Sequence, residues 1–482
     1  MQQLNNESII PAKTGYTVLS GDKVLHSRYD PAAEAEKYID SLDLKPFKYF
    51  ILLEPGLGYL ADSLKNRFPQ SMIISLHCSS FFKNRDFSWN PSFSETLEDF
   101  LEHILSDADA SEIKIIDWKP SINIYGKSCL DLALKTVECV KRISAGRKTV
   151  KVFGKRWIKN AIKNISMLKN IVIIKPSTMP VLVCAAGPSL NDSITNITNW
   201  KNSWTLPVIL SVSSASTALL YNGIMPNSIV TTDGGAWANF HLFEYFRSYK
   251  NTLDEKPVIA SALIAALPSQ AKDYPVQIIR DGSLWQDLLL KAAGILQYSF
   301  VFPQRGTVSV SALDMAFFLS KGEIYICGMD LSHQDLLTHV RPYAFEKFLE
   351  QKQSRKKPLY SQIFEREDII RSSGSHDIYA SWFKSHLSLF PRLYAFGESK
   401  YGIPAGKPDS NKTKNILCKK KCVINSINKK RAVYVLNNAL DDPLTKDQLG
   451  KELAELLFGE KPAENKNCTN ELKKILLELA DG

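Results

Sequence analysis

One stretch constrains this chain more than any other: Val181 to Asp192, with the sequence VLVCAAGPSLND. Val181 to Ala185 is short and wholly apolar, the pattern of a strand buried on both faces of a parallel sheet. Gly187 and Pro188 end it. Gly187 lets another group approach the backbone closely. Pro188 suits a turn or a first helical position, where its missing N–H costs nothing. Ser189 and Asn191 are capping types for a helix expected to run to about Trp200. Strand, tight turn and helix start together predict outward-facing backbone N–H groups, which is how phosphate is held. The alternative is a Gly-Pro that only ends a core strand, and this stretch alone does not separate the two.

The 482 residues, 44% of them hydrophobic, bury large cores and suggest about two to four domains. No apolar run approaches the roughly 20 residues of a membrane span. The polar start lacks the basic-then-apolar plan of a signal peptide, so a cytoplasmic protein is expected. Cys184 and Cys327 lie in apolar runs and are expected as small core residues. Cys418 and Cys422 have no second pair and no nearby His, so neither a metal nor a disulfide is expected. The net charge of +10 is uneven: residues 407–431 hold nine Lys/Arg and one acid, Asp409. That segment reads most simply as a solvated basic linker, and no nucleic-acid partner is expected.

In chain order, Asp30 and Pro31 start a helix, with Glu34 and Glu36 near its positive end. Tyr49 to Leu53, a Gly56/Gly58 turn, a helix and Met72 to Leu76 form an opening βαβ unit. The end of its second strand offers His77, Cys78 and Ser79, not the carboxylate that grips a ribose. A degenerate Rossmann-like domain over 1–150 is therefore expected. An amphipathic helix with apolar Ile158, Ile162, Ile165 and Leu168 leads out of it. Its Arg156 and Lys159 read as phosphate contacts or, more simply, as a wet helix face.

A central doubly wound parallel-sheet domain is expected over 151–345. Its strands include Ile171 to Ile174, Val181 to Ala185, Val208 to Val212, Ser228 to Thr232, Pro257 to Ser261, Val276 to Ile279 and a run from Glu323 that ends in Gly328-Met329-Asp330. The third runs into Ser211 and Ser213, at the carboxyl end where such sheets bind ligands. Asp233, Gly234 and Gly235 close the fourth, as a site or as a plain Asp-Gly turn. Gly306, Thr307 and Ser309 enter an apolar helix, and Asp330 follows a buried strand. His333, Thr338 and His339 come next. A helical cap over 346–410 and a basic linker with an amphipathic tail over 411–482 complete an α/β chain.

Ala186 to Leu190, Thr231 to Gly235, Gly306 to Ser309, Ile326 to Leu331 and Thr338-His339, in this order, resemble the motility-associated-factor glycosyltransferases. The resemblance extends back through Tyr29 to Pro31, Glu34 to Glu36, and Phe153 to Trp157 with Asn160. It extends forward to Leu393-Tyr394 and Gly402 to Gly406. The Gly-Pro-Ser turn and the Gly-x-Asp strand also resemble bacterial sialyltransferases that use cytidine monophosphate (CMP) sugars. The resemblance implies transfer of a nonulosonic acid of the pseudaminic or legionaminic type from its CMP donor to Ser or Thr of flagellin. The same superfamily contains proteins resembling 6-hydroxymethyl-dihydropterin pyrophosphokinase, which use ATP and Mg²⁺. A non-catalytic flagellin-binding assembly factor is the third reading.

Under the transferase reading, Gly187, Pro188, Ser189, Leu190, Ser211, Ser213, Gly234, Gly306, Thr307, Ser309 and Asp330 hold the nucleotide sugar. His339 is the first choice of general base because imidazole titrates near neutrality, followed by His241 and Asp233. For His339 the plainer alternative is a loop histidine without a role. No cofactor is required, Mg²⁺ on Asp233 and Asp330 is optional, and a homo-oligomer is compatible.

Overall fold

The computed structural model describes residues 7–82, 87–106, 108–203, 207–248, 256–332, 339–362, 364–365, 375–406, 419–422, 425, 427–459 and 466–481. His333, Thr338, Cys418 and most of the basic 407–431 segment lie outside them. The chain divides into two compact units, Met1–Thr149 and Val150–Gly482.

The first unit opens with antiparallel β1 (Glu7–Pro11), β2 (Tyr16–Ser20) and β3 (Lys23–Val24). The helix Pro31–Asp40 starts as the sequence predicts, with the Asp30 carboxylate accepting from the Ala33 N–H at 3.0 Å. A parallel sheet then forms from β4 (Tyr49–Leu53), β5 (Met72–Leu76), β6 (Ser88–Trp89) and β7 (Ile113–Asp117), in the order β6-β5-β4-β7. That is the Rossmann order, with its crevice between β4 and β7. The Gly turn after β4 is filled by the chain itself. A Cβ at Gly56 would lie 2.5 Å from His26 Nε2, and that nitrogen accepts the Leu57 N–H at 3.1 Å. The fully buried Glu54 carboxylate accepts from His77 Nδ1 and from the N–H groups of Cys78 and Ser79, at 2.9, 2.6 and 3.2 Å. The groups that would meet a dinucleotide thus meet His26 and Glu54.

One helix, Lys127–Met167, includes the amphipathic stretch the sequence predicts and begins well before it. Gly154 in its middle is a packing residue: a Cβ there would overlap the Leu456 carbonyl of a C-terminal helix.

The second unit is built on an eight-stranded sheet in which every pairing is parallel. Introducing β8 (Val172–Ile174), β9 (Val181–Cys184), β10 (Val208–Val212), β11 (Ser228–Thr231), β12 (Val258–Ala262), β13 (Val276–Arg280), β14 (Phe300–Val301), β15 (Ile324–Cys327) and β16 (Leu393–Ala395), the order is β14-β13-β12-β11-β10-β9-β15-β16. β9 to β12 and β15 are buried residue by residue, as all-parallel strands covered on both faces should be. The order turns back between β9 and β15, which makes that gap the topological switch point, where ligands bind in open α/β sheets.

The two faces carry separate cores. On one, the helices Leu190–Ser203 and Val308–Leu319 pack with Val183, Val230 and Ala260. On the other, the far half of the long helix packs with Ile229, Ile259 and the helix Asn239–Ser248.

Three boundaries differ from the sequence reading. Ile171 to Ile174 is not a strand of the main sheet; β8 pairs antiparallel with β17 (Lys419–Lys421). The 346–410 cap is not wholly helical, because it contributes the edge strand β16. The described part of 411–482 is more than linker and tail. Its helices Lys429–Ala439, Lys446–Phe458 and Lys466–Asp481 bury Val433, Leu436, Leu453 and Leu476 in the second core. Glu452 accepts from the N–H groups of Leu284 and Trp285, at 3.1 Å each, so its charge sits at the positive end of the helix Leu284–Ala292. Among the described residues, no helix is long and apolar enough to cross a membrane.

Candidate functional site

A cavity of about 450 Å³ opens at the carboxyl ends of β9, β10, β11 and β15 in the second unit, within the size range of small-ligand sites. Of the sequence candidates, Gly187, Ser213, Asp233, His241, Thr307, Ser309, Asp330 and His339 line it. The sheet brings together residues spread over more than 150 positions because each parallel strand delivers its C-terminal loop to the same edge.

The VLVCAAGPSLND turn works differently from the expectation. Its N–H groups do not face outward. Gly187 N donates to Gly328 O at 2.8 Å, and Leu190 N to Gly187 O at 3.0 Å. Ser189 donates both its N–H and its hydroxyl to the Asp330 carboxylate, at 2.8 and 2.6 Å. Pro188 has no N–H. Asp330 therefore stands where an anionic ligand was expected. Such charge-assisted bonds fasten β9 to β15 across the switch point. Gly187 is required by close approach, since a Cβ would lie 2.6 Å from Gly328 O and overlap Asp330 Oδ2. Pro188, Ser189 and Leu190 do not line the cavity.

Three further candidates are displaced. Ser211 lies fully buried within β10, short of the strand's end, and donates to its neighbour's carbonyl, Val212 O, at 2.9 Å. Gly234 packs under Trp157, with Trp157 Nε1 2.5 Å from a would-be Cβ. Gly306 takes φ +75° and is covered by Tyr379, 2.8 Å from a would-be Cβ. Thr307 does cap the helix Val308–Leu319, its hydroxyl accepting the Ser309 N–H at 3.1 Å. The Val308 N–H belongs to the first helical turn, which has no intrahelical acceptor.

The remaining wall is aromatic. His339 stacks on Tyr343 at 4.5 Å and 20°, and His241 sits between Tyr343 and Phe345 at 5.4 and 5.0 Å. Asp233 is held by its own turn, its Oδ1 accepting the Gly235 N–H at 2.7 Å. The Tyr379 phenol titrates above its ordinary range because burial and the nearby Asp233 charge disfavour phenolate. It is a hydroxyl donor at neutral pH.

Arg156, which the sequence offers as a phosphate contact or as a wet helix face, also lines the cavity, as do Tyr343, His376 and Tyr379, to which the sequence analysis gives no role. A signal existed for the first: Phe153, Arg156, Trp157, Asn160 and Asn164 recur at helical spacing on one face. Asn160 Nδ2 donates to Gly234 O and Ile264 O at 3.1 and 2.9 Å. Asn164 Nδ2 donates to Leu263 O and Ala265 O at 2.9 and 2.8 Å. Two amides one turn apart thus hold the loops after β11 and β12, and with them Asp233. No group of three or more metal-ligating side chains occurs among the described residues.

Residues 155–336 match a family described as 6-hydroxymethylpterin diphosphokinase MptE-like. By this match the segment is similar to MptE-like domains. It contains β8 to β15 and most of the cavity wall. The whole chain shares its fold with a MAf glycosyltransferase from Magnetospirillum magneticum AMB-1, at a TM-score of 0.53 and 13% identity, over 98% of this chain and 86% of that one. Two uncharacterized proteins of Treponema pallidum (strain Nichols) are similar in sequence. One is 28% identical over 61% of this chain and 61% of its own length, the other 23% identical over 76% and 66%. The matches span less than two thirds of either relative. The MptE-like domain sits in a two-unit α/β architecture with a helical C-terminal region.

Proposed function

We propose that the protein is a glycosyltransferase that moves a nonulosonic acid from a CMP-activated donor to a serine or threonine hydroxyl of an acceptor protein, flagellin being the acceptor the sequence resemblance implies. The observation that carries this reading is the cavity at the switch point of the MptE-like domain. It joins hydroxyls (Ser213, Thr307, Ser309), a helix start, a guanidinium and three histidines in about 450 Å³. The fold shared with a MAf glycosyltransferase supports it.

In this reading the nucleotide end lies against Ser213, Thr307 and the Val308 N–H, where hydroxyls and the helix start favour an anion. The bond between the anomeric carbon and the phosphate oxygen breaks, and CMP leaves with the electron pair. The acceptor hydroxyl oxygen bonds to the anomeric carbon and gives its proton to a base. His339 fits that role: it lines the cavity, and stacking on Tyr343 fixes its ring. His241, packed between Tyr343 and Phe345, is the second choice. Asp233 is third, since one of its oxygens already serves its own turn.

The MptE-like match keeps a phosphotransferase using ATP and Mg²⁺ as the second reading. Under it the metal would fall to Asp233 and Asp330, the two carboxylates that line the cavity, with Asp330 oriented by its bonds from Ser189. Isothermal titration separates the readings. Micromolar CMP binding supports the transferase. Binding of ATP with Mg²⁺ and none of CMP replaces it with phosphoryl transfer. Silence with both, together with flagellin binding, leaves an assembly factor.

A further inference from the structure

We propose that the amino end of the second unit's sheet carries a basic face that docks the protein on an anionic lipid bilayer. The inference does not depend on what the cavity binds.

The face is built from two stretches far apart in sequence. Residues 163–175 hold three lysines, and residues 419–431 hold five lysines and one arginine; neither stretch has an Asp or Glu. The antiparallel pairing of β8 with β17 brings them together, with Lys419 opposite Ile174 and Lys421 opposite Val172. The basic strand is fastened rather than loosely tethered. Cys422 N donates to Ile171 O and Asn425 N to Ala293 O, at 2.9 Å each, and Cys422 and Ile427 are buried in the second core. The three lysines of β17 are exposed, as are Lys169 and Lys175 on either side of β8.

This charge is not offset within the chain. None of the nine cations forms an ion pair among the described residues. Lys163 and Lys429 act on each other as like charges: burial, and then the Lys429 charge, push the Lys163 ammonium below its ordinary range. A fixed set of like charges repels itself, and an anionic partner relieves that repulsion.

Three features favour a bilayer over a nucleic acid or an acidic peptide. Eight of the nine cations are lysines, hydrated point charges on flexible stems, whereas paired reading of nucleic-acid phosphates favours arginine. Lysines along an edge strand oppose addition of a further strand, a common route for binding an extended peptide. The helix Lys429–Ala439 buries Ala432, Val433 and Leu436 and leaves Tyr434 52% exposed beside Arg431, whose guanidinium lies over the ring at 5.1 Å. An exposed tyrosine among cations suits the headgroup layer.

Placement is consistent with a working cavity. Val276 N, at the start of β13, donates to Asn170 O at 2.8 Å, and Ile174 N donates to Gln277 Oε1 at 2.9 Å. The ribbon thus lies at the amino ends of a parallel sheet whose carboxyl ends form the cavity. Docking there leaves the cavity open.

The test is co-sedimentation of the full chain with phosphatidylcholine vesicles with and without phosphatidylglycerol, after thermal melting has shown each variant to be folded. Wild type is expected to bind only the phosphatidylglycerol vesicles, and to be released as salt shortens the screening length. Lys419→Gln/Lys420→Gln/Lys421→Gln should bind roughly a hundredfold more weakly, since each lysine near an anionic bilayer contributes about fivefold. Lys169→Gln/Lys175→Gln, which leaves β17 intact, should lose roughly 25-fold. Lys127→Gln/Lys135→Gln/Lys141→Gln, an equal loss of charge among exposed lysines of the first unit, should bind as wild type does. Four results overturn the proposal: no binding to phosphatidylglycerol vesicles; undiminished binding in the β17 variant; an equal loss in the first-unit variant, which would assign binding to net charge; or tighter binding of double-stranded DNA or poly-glutamate than of vesicles at matched anionic charge, which would reassign the face.

Discussion

Replacing Gly187 by alanine tests the account of the switch point most directly. The added methyl would lie 2.6 Å from Gly328 O and overlap Asp330 Oδ2. Gly328 O belongs to the loop leaving β15 and already accepts the Gly187 N–H at 2.8 Å, so retreat on that side lengthens a backbone hydrogen bond worth about 1 kcal/mol. Asp330 can retreat only by releasing Ser189, whose N–H and hydroxyl it holds at 2.8 and 2.6 Å. Hydrogen bonds to a charged group contribute about 1.5–3 kcal/mol. Together the expected destabilisation is roughly 3–4 kcal/mol. Urea unfolding followed by circular dichroism should show the midpoint falling by about 1 M. The double variant Gly187→Ala/Asp330→Ala should fall by less than the two single losses combined, because the same contact is removed twice. A Gly187→Ala midpoint within about 0.2 M of wild type would refute the claim that this glycine is demanded by close approach.

Ser189→Ala removes the hydroxyl bond to Asp330 but keeps the backbone one, and should cost about 1–2 kcal/mol in the same unfolding assay. Gly154→Leu should separate the long helix from the helix Lys446–Phe458, since even a Cβ overlaps Leu456 O; limited proteolysis should then cleave the C-terminal helices sooner than in wild type. His339→Ala should leave CMP affinity within about twofold in calorimetry and, under the transferase reading, lower turnover by about 10²–10⁴; retained turnover transfers the base role to His241. Burial lowers the His26 pKa from 6.5 to about 4. The folded state therefore binds fewer protons than the unfolded state between those values, and stability falls as pH drops from 6.5 to 4, by roughly 3 kcal/mol in all. His26→Gln should flatten that part of the stability–pH curve, and an unchanged slope would show that His26 does not carry it.

The architecture was legible wherever periodicity expresses burial. β9, β10, β11, β12, β13 and β15 read as short, mostly apolar runs because a parallel sheet covered on both faces leaves almost no exposed position. The edge elements were not. β8 resembles a central strand, yet it pairs with the three lysines of β17, an exposed partner with no apolar signature. The site was legible as a set of loops but not in the direction of its groups. The sequence places Gly187, Ser189 and Asp330 at one edge; it cannot show that Asp330 turns inward onto Ser189 and closes the turn. Arg156 was left between two readings for a related reason. A cation on an amphipathic helix has the same local pattern whether it faces solvent or a cavity, and only the Asn160 and Asn164 bonds to distant loops separate the two.

The two units offer a controlled comparison of how one strand-turn-helix grammar reaches opposite ends. Each has a glycine turn after a buried strand at a point where the sheet order reverses. In the first, the space a ligand would take holds His26, whose Nε2 accepts the Leu57 N–H, and Glu54, whose carboxylate takes two loop N–H groups and His77. In the second, Asp330 closes the turn in a similar way, but the neighbouring strands still deliver Ser213, Asp233 and His241 around about 450 Å³ of open volume. A self-supplied carboxylate is therefore common to both turns and does not decide function. What differs is whether side chains from elsewhere in the unit fill the crevice. On that argument, emptying the first crevice with His26→Gly should not create nucleotide binding there, because Glu54 still repels phosphate. Calorimetry with CMP and with ATP on that variant should match wild type, and a new binding event would show that His26 alone had closed the site.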